Sequence, residues 1–369
     1  MRFFETLTKR YKVMRKIFLF AFALAVGALA FTLSGCSLPA NEPENPSGGS
    51  GGGGSGGNSS SSVAVNGCLP GKFSVSPSHK VSFSQGNLVY QASGNRFRFQ
   101  NKQYQIVGGQ YWGNIFHDGI RCCNEFAAKD YEGWIDLFGW GTANQPWLRG
   151  DAAFAQYTFH EWGDKSIENG GGSNAWRTLS ASEWQYMLKE RPNATYKVGM
   201  CVMKEALYSN IYLERNELTE DFEDHDALML IPDDWTCPSG ITFVPIGAQG
   251  DWIWMNSNAE WDIHGMGWWS KESYDADLNV YTISQINKLE ASGVVFLPAT
   301  GSVKYDGSYS YSSDMGNYWS CNDHYDPMNP DAKGAYAMCF KCLYPTTIAP
   351  AESCGVAAGY AIRLVKDVK

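Results

Sequence analysis

Two cysteines in the segment Cys339-Phe340-Lys341-Cys342 have the spacing of a zinc ligand pair or of a redox dithiol. A zinc site would need a second close pair or a histidine at ligand spacing, and only Cys321, His324 and Cys354 lie near in the sequence. Residues three apart in a β-strand also point to opposite faces, which separates the two thiols. We therefore favour disulfides or free buried thiols, and we predict no metal and no cofactor.

Other catalytic patterns are missing from the sequence. The six histidines form no HExxH pair, and neither a G-x-S-x-G turn nor a phosphate-binding loop is present. Carboxylates are plentiful, but no local pattern selects two of them for glycoside hydrolysis. The acidic run at residues 217–226 lacks the glycine that an EF-hand turn needs, so we predict a solvated loop there. The sequence favours a protein that is not an enzyme.

The tetrapeptide at residues 33–36, Leu-Ser-Gly-Cys, follows an uncharged apolar stretch at residues 17–32 and a basic pair at residues 15–16. That order resembles a bacterial lipoprotein signal peptide, in which Cys36 is acylated and becomes the first mature residue. Spanning a bilayer takes about 20 apolar residues, so the shorter stretch favours a signal peptide, residues 1–35, over a transmembrane helix.

Residues 36–66 carry three prolines and then a run of glycine and serine with one asparagine among them. Such a segment cannot bury apolar surface, which predicts a disordered tether behind the lipidated cysteine. Glu42 and Glu44 resemble the acidic signals that send lipoproteins of Bacteroidetes-type bacteria to the cell surface. We predict an outer-membrane protein, exposed at the surface and bound to the membrane through its lipid anchor only. Either Met1 or Met14 could be the start.

Residues 67–369 are predicted to form a single globular domain, because the chain is 44% hydrophobic and only 18% charged. The net charge of −9 excludes nucleic acid as a partner, since a phosphate backbone needs a basic face. Ten cysteines less Cys36 leave nine, which predicts disulfides in an exported protein. The 14 tryptophans and 20 tyrosines exceed what a core usually needs, so some could serve a glycan or protein surface.

Short strands outnumber helices in the sequence pattern. Residues 80–90 alternate apolar and polar side chains around a Gly-Asn pair, which predicts a β-hairpin. Ser180 and Glu183 form a capping box that starts a helix over 180–191, and a second helix is predicted over 284–292. Further strands are predicted at 96–100, 104–107, 294–297, 335–342 and 360–365. This composition indicates an α+β domain with a mostly antiparallel sheet, about two short helices and long loops.

Five segments resemble, in their order, the family of FISUMP and Lcl C-terminal-like domains. They are Trp176-Arg177-Thr178-Leu179-Ser180 with Glu183-Trp184, Ile231-Pro232-Asp233-Asp234-Trp235, Phe296-Leu297-Pro298-Ala299, Tyr318-Trp319-Ser320 and Ile362-Arg363-Leu364-Val365. The likeness runs from about Gly71 to the end of the chain. It implies a C-type-lectin-like fold, related to the formylglycine-generating enzyme and to variable proteins of diversity-generating retroelements. The Glu-Pro-Asn or Gln-Pro-Asp triplet of calcium-dependent lectins is absent, so calcium-mediated sugar binding is not expected.

The motif residues themselves indicate structural roles. Those assigned such a role are Trp176, Arg177, Glu183, Trp184, Asp234, Trp235 and Arg363. A buried guanidinium has to be neutralised and hydrogen-bonded, so each arginine is expected to pair with a carboxylate of the motifs. The candidate carboxylates are Asp233, Asp234 and Glu183.

The segment at residues 301–330 is the predicted ligand site, with a solvated loop as the alternative. Its tyrosines, asparagines and aspartates lie among serine and glycine, as in adaptable binding loops. The resemblance also places it where retroelement variable proteins carry their ligand face. The predicted ligand-binding residues are Tyr305, Tyr309, Tyr311, Asp314, Asn317, Trp319, Asn322, Asp323, His324, Tyr325 and Asp326. An aromatic region at residues 247–270 suits either sugar stacking or core packing.

These patterns together predict a lipoprotein that presents an adhesin-like site for an extracellular glycan or protein. One alternative is a thiol- or metal-dependent enzyme, which the kinship with the formylglycine-generating enzyme would imply through Cys339 and Cys342. Another alternative is a structural or fimbria-associated component of the cell surface.

Overall fold

The computed structural model describes residues 64, 66–107, 116–117, 120–121, 133–146, 158–212, 217–256, 267–272, 278–303, 309–310, 314–325, 333–342 and 345–368. All of these belong to one compact unit, Ser59–Lys369. The predicted signal peptide, Cys36 and almost all of the tether lie outside the described residues. No helix in the described ranges has the length and apolar character needed to cross a membrane.

Strands dominate the described structure. They are β1 (Phe73–Ser74), β2 (Lys80–Phe83), β3 (Leu88–Gln91), β4 (Arg96–Phe99), β5 (Phe116–His117), β6 (Ile120–Arg121), β7 (Trp134–Ile135), β8 (Val198–Tyr212), β9 (Glu217–Leu230), β10 (Ile253–Asn256), β11 (Gly267–Lys271), β12 (Val280–Tyr281), β13 (Val295–Pro298), β14 (Ser302–Val303), β15 (Tyr309–Ser310), β16 (Met315–Tyr325), β17 (Lys333–Lys341), β18 (Thr346–Gly355) and β19 (Val365–Asp367). The described α-helices are α1 (Ala181–Gln185), which a π-helical turn continues over Tyr186–Glu190, and α2 (Ile283–Ala291).

Two larger sheets carry most of the chain. A five-stranded sheet has the order β10-β11-β18-β17-β16, and a four-stranded sheet has the order β12-β8-β9-β13. Their pairs are antiparallel except β12 with β8. Smaller sheets have the orders β1-β2-β19 and β4-β3-β7. The prediction of an α+β domain with mostly antiparallel strands is confirmed.

The sequence at residues 80–90 forms two strands but not the predicted hairpin. β2 pairs with β1 and β19, whereas β3 pairs with β4 and β7. The C-terminal segment enters between them: Ser84 N donates to Leu364 O and Leu88 N donates to Ile362 O, each at 2.9 Å. The hairpin prediction was wrong because β19, nearly 300 residues further along the chain, occupies the position beside β2 that a local turn would have given to β3.

Two segments predicted as loops are strands in the structure. The acidic run at 217–226 belongs to β9, which pairs with β8 on both sides of one register shift, so the solvated loop was a wrong prediction. Residues 301–330 contain β14, β15 and β16 rather than one long loop, and β16 lies against β17 in the five-stranded sheet. Both segments are strands because they pair with a neighbouring strand, and the charge of their side chains did not prevent this pairing.

Local helix signals are confirmed. Ser180 Oγ accepts from Glu183 N at 3.2 Å, and the Glu183 carboxylate accepts from Ser180 N at 2.8 Å. The same reciprocal cap joins Thr282 and Gln285 at the start of α2. Such boxes satisfy N–H groups that the first turn of a helix leaves without partners.

The tryptophans of the motifs lie largely in the core. Trp176, Trp184 and Trp319 are buried, as predicted, while Trp235 is half-buried. Trp176 Nε1 donates to Gly170 O at 2.8 Å, and Trp319 Nε1 donates to Phe138 O at 2.7 Å. The rings of Trp176 and Trp319 therefore combine apolar packing with a fixed hydrogen bond.

The two predicted arginine pairs have different outcomes. Arg177 forms two hydrogen bonds with the Glu183 carboxylate, at 2.8 and 2.7 Å, so that pairing is confirmed. It also contacts Asp367 at 2.8 Å. Arg363 pairs with none of the predicted carboxylates; its guanidinium donates to the amide oxygens of Asn87, at 3.2 Å, and of Gln103.

Arg363 is buried because the C-terminal segment passes through the interior between β2 and β3. Burial lowers its pKa to about 10, while the charge of Glu290 acts in the opposite direction. Glu290 is itself buried in α2, and burial raises its pKa. Gln103 also accepts from Phe296 N at 2.9 Å, so one amide holds the C-terminal segment and β13 together.

We expect Arg363→Met to destabilise the fold by about 3–5 kcal/mol, because it leaves buried polar groups without their donor. Arg177→Met should cost about 1 kcal/mol, since that guanidinium is partly exposed and its partners can turn to water. Urea unfolding of both variants measures the difference. Equal losses would show that Arg363 has no special place in the fold.

Candidate functional site

The carboxylate of Asp233 gathers groups from separate parts of the chain. Its Oδ2 accepts from Ser74 N at 3.0 Å and from Ser74 Oγ at 2.6 Å, and Lys80 Nζ lies at 3.0 Å. Its Oδ1 lies 3.4 Å from Arg191 Nη1 and 3.8 Å from Lys197 Nζ. Three cations therefore surround one carboxylate, and its side chain is only 9% exposed.

Arg191 binds two neighbouring segments to each other. Its buried guanidinium donates to Ile231 O from Nη1 and to Lys197 O from Nη2, each at 3.1 Å. Ile231 N also donates to Lys197 O at 2.9 Å. The segments at 193–197 and 231–235 consequently lie side by side with a fixed separation.

The backbone changes conformation at the start of the first segment, directly after the π-helical turn. Pro192 cannot continue the helix, and Asn193 has a left-handed backbone with φ 58°. Asparagine tolerates this conformation better than most side chains. The chain then turns into a short 3-10 helix, Ala194–Tyr196, which carries Tyr196 out to the surface.

An open cleft of about 440 Å³ lies between the two segments, and we name it the Tyr196 cleft. Its lining residues are Asn193, Tyr196, Lys197, Ile231, Pro232, Asp233 and Trp235. The Tyr196 side chain is 57% exposed. Trp235 is held more firmly: its Nε1 donates to Ser292 Oγ at 2.8 Å, and its ring packs edge-on to Phe243.

The charges of the cleft follow from this geometry. Burial alone would raise the pKa of Asp233, but hydrogen bonds from Ser74 and Lys80 and the charge of Arg191 hold it below the usual 3.8. Burial lowers the pKa of Arg191 to about 10, which leaves it charged at neutral pH. Burial and the nearby cations also lower the pKa of Lys197.

The chemistry available in the Tyr196 cleft is that of recognition. An exposed aromatic face offers contact area at low entropic cost, while the Asn193 amide and the Lys197 ammonium can hydrogen-bond a polar ligand. Among the residues that the structure describes, no group of three or more His, Cys, Asp or Glu side chains is placed to hold a metal ion.

A second open cleft, of about 510 Å³, lies beside Arg177. Its lining residues are Val75, Ser76, His79, Arg177, Ser182, Glu183, Tyr186, Glu190 and Asp367. The guanidinium in this cleft already has two carboxylate partners, Glu183 and Asp367. This pairing makes it a weaker candidate for ligand binding than the Tyr196 cleft.

Four of the predicted ligand-binding residues are buried: Asp314, Asn317, Trp319 and His324. Asn317 Nδ2 donates to Gly301 O at 3.2 Å, and Trp319 Nε1 donates to a backbone oxygen of the core. His324 Nδ1 lies 2.9 Å from the Tyr336 hydroxyl. In this structure these side chains hold β16 in place and do not face the solvent.

Of the other predicted ligand-binding residues, two are exposed, two belong to strands and three lie outside the described ranges. Asn322 and Asp323 are exposed, and Asn322 Oδ1 accepts from Ala181 N at 2.9 Å at the start of α1. Tyr309 and Tyr325 belong to β15 and β16. The residues Tyr305, Tyr311 and Asp326 lie outside the described ranges.

The two cysteines of the CxxC segment have separate surroundings. The Cys354 thiol, burial and Glu352 raise the pKa of Cys339, whereas burial and Asp226 raise that of Cys342. Cys339 lies in β17 and Cys342 directly follows the end of that strand, so the two thiols have different neighbours. Each of the seven cysteines in the described part of the chain is a free thiol. Disulfide formation after export stays a prediction.

The aromatic region at residues 247–270 contains the antiparallel pair β10–β11. Trp254 lies opposite Trp269, with ring centroids 5.1 Å apart, and the Lys189 ammonium lies 3.9 Å from the Trp254 ring. Ile253 and Met255 are the exposed apolar side chains of β10. The rings are therefore half-buried, between the two interpretations that the sequence allowed, and Trp261 lies outside the described residues.

The sequence did not indicate the segment at 193–197 as part of a site. The only local signal is the pair Pro192-Asn193 directly after a helix, which commonly marks a turn. The segment on the other side of the cleft, residues 231–235, is one of the sequence motifs for which a structural role was predicted. Asp234 was predicted to have a structural role, but it is exposed. The neighbouring Asp233 makes the ion pairs instead.

Comparison of the chain with protein families, with curated proteins and with solved structures found no match. The resemblance to FISUMP and Lcl C-terminal-like domains therefore stays a prediction from the ordered motifs.

We expect Asp233→Asn to destabilise the protein at neutral pH, with an effect that disappears in acid. The folded-state pKa of Asp233 lies below its usual 3.8, so its ionised form stabilises the fold above that pH. That stabilisation is lost as the pH falls through the lowered folded-state value. The free-energy difference between wild type and variant should therefore shrink below about pH 4.

Chemical denaturation at several pH values measures this dependence. Asp234→Asn is the matched control, because Asp234 is an exposed neighbour of the same type. A difference between wild type and Asp233→Asn that stays constant from pH 7 to strong acid would contradict the ion-pair role of Asp233.

Proposed function

We propose that the chain is a lipid-anchored, surface-exposed binding protein and that its domain takes a carbohydrate ligand in the Tyr196 cleft. One observation carries the proposal: the Tyr196 ring is 57% exposed at the edge of the cleft, beside Asn193 and Lys197. Sugar rings stack on aromatic faces, and a few polar groups then fix their orientation.

The dimensions of the cleft favour a small ligand over a protein surface. Ligand pockets typically span about 300–1,000 Å³, and the Tyr196 cleft has about 440 Å³. A stable protein interface buries about 800 Å² on each partner, which calls for a much broader contact region. A glycan fits the cleft better than a folded protein does.

The remaining parts of the proposal come from the sequence. The signal-like segment, Cys36 and the Gly/Ser tether support an outer-membrane lipoprotein whose domain stands away from the lipid surface. The ordered motifs and the mixed sheets with two short helices support a C-type-lectin-like fold of the FISUMP type. The site itself moves from residues 301–330 to the Tyr196 cleft, because four of the predicted contacts are buried.

We expect Tyr196→Ala to weaken glycan binding about threefold to tenfold, which corresponds to about 0.5–1.5 kcal/mol for one aromatic contact. Tyr196→Phe should keep most of the affinity, since it retains the ring. A glycan array probed with the full-length chain in detergent identifies the sugar, and calorimetry then compares the variants.

Ile253→Ala is the matched control, because it also removes an exposed apolar side chain, 61% exposed, but from β10. The proposal would be contradicted by a glycan ligand whose affinity is the same for wild type and Tyr196→Ala. An array on which the wild-type chain binds no glycan would also contradict it.

A further inference from the structure

Lys197, the cation that lines the Tyr196 cleft, makes only a long ion pair. Lys197 Nζ lies 3.8 Å from Asp233 Oδ1, which is longer than the 3.0 Å between Lys80 and Oδ2. Arg191 lies closer to Oδ1 than Lys197 does, at 3.4 Å. The Lys197 ammonium is therefore the least well paired of the three cations around this carboxylate.

The cluster also carries more positive than negative charge. Lys80, Arg191 and Lys197 face Asp233, and the exposed Asp234 follows it in the chain, which leaves one net positive charge in a protein whose net charge is −9. Arg191 is buried and already donates to two backbone oxygens. Of the two lysines, Lys80 is the more exposed, at 41% against 18% for Lys197, but Lys197 is the one that lines the cleft.

We infer that the ligand of the Tyr196 cleft is a sugar with one carboxylate, such as a uronic acid, and that Lys197 binds this carboxylate. The inference rests on the proposed function, since it specifies the ligand of the same site. The sugar ring would stack on Tyr196, and the Asn193 amide, which also lines the cleft, would donate to the second carboxylate oxygen. Charge-assisted hydrogen bonds of this kind are stronger than neutral ones.

The same charges disfavour a polyanion. Lys197 is the one cation among the lining residues of the cleft. The exposed carboxylate of Asp234, next to the lining residue Asp233, adds a negative charge there. A sulfated chain would place several negative charges against this region, where only one can be paired. Burial and the neighbouring cations hold the pKa of Lys197 down, and a bound carboxylate would counteract both effects.

Matched sugar pairs test the inference directly. We would titrate the full-length chain in detergent with glucose and glucuronate, and with galactose and galacturonate, at low salt. Within each pair only the C6 group differs. We expect the acid of at least one pair to bind about tenfold more tightly than its neutral partner, in line with the added charge-assisted bond.

Lys197→Met keeps the aliphatic stem and removes the charge, so the acid and the neutral sugar should then bind equally. Lys189→Met is the matched control, because that ammonium lies over Trp254 outside the cleft, and it should leave the preference unchanged. Should Lys197→Met fail to fold, the wild-type chain provides a second measurement. Raising the salt concentration should weaken the binding of the acid and leave that of the neutral sugar unaffected.

The outcomes separate this inference from the proposed function. Equal affinities within both pairs would overturn the carboxylate inference and leave sugar binding at the cleft intact. Dextran sulfate binding more tightly than either uronate would overturn the single-carboxylate inference as well. If the chain binds none of the four sugars and no glycan on the array, both the inference and the proposed function fail.

Discussion

The ion pairs of the Asp233 carboxylate, whose side chain is 9% exposed, are the interactions on which the geometry of the cleft depends. The carboxylate joins the start of the domain at Ser74, the first strand pair at Lys80, and the turn at 191–197. A carboxylate this far out of water is stable only when donors satisfy both oxygens, and here they do. Removing any one donor would loosen a contact between segments that are distant in the sequence. The position of Tyr196 therefore reflects charge neutralisation as much as local turn chemistry.

A second buried charge secures the opposite end of the chain. Arg363 enters the core with the C-terminal segment and finds the amide oxygens of Asn87 and Gln103 rather than a carboxylate. The amide oxygens accept from Nη1 and Nη2 without compensating the charge, and burial accordingly lowers the pKa of Arg363. Gln103 reaches β13 through Phe296. The fold thus relies on two polar centres, one around Asp233 and one around Arg363.

Sequence separation explains which features could be predicted. The capping box of Ser180 and Glu183 and the Arg177–Glu183 pair join residues three and six apart, and both predictions are confirmed. The partners of Arg363 are 276 and 260 residues away, and no local pattern identifies them. The hairpin prediction at 80–90 failed for the same reason, because a distant strand displaced a favourable local turn. Fold class was predictable from strand and helix counts, whereas the site depended on tertiary contacts.

The cleft has a base of charged groups that are paired within the protein and an edge of side chains that can contact a ligand. The two parts have different physical origins. Asp233 and Arg191 are almost fully paired inside the protein, so they fix the separation of the two segments. Tyr196 and Asn193 are exposed, and Lys197 has only a long contact with Asp233, so these groups retain interaction capacity for a ligand. Because Lys197 is the cation that lines the cleft, its charge is placed to complement an anionic group on the proposed ligand.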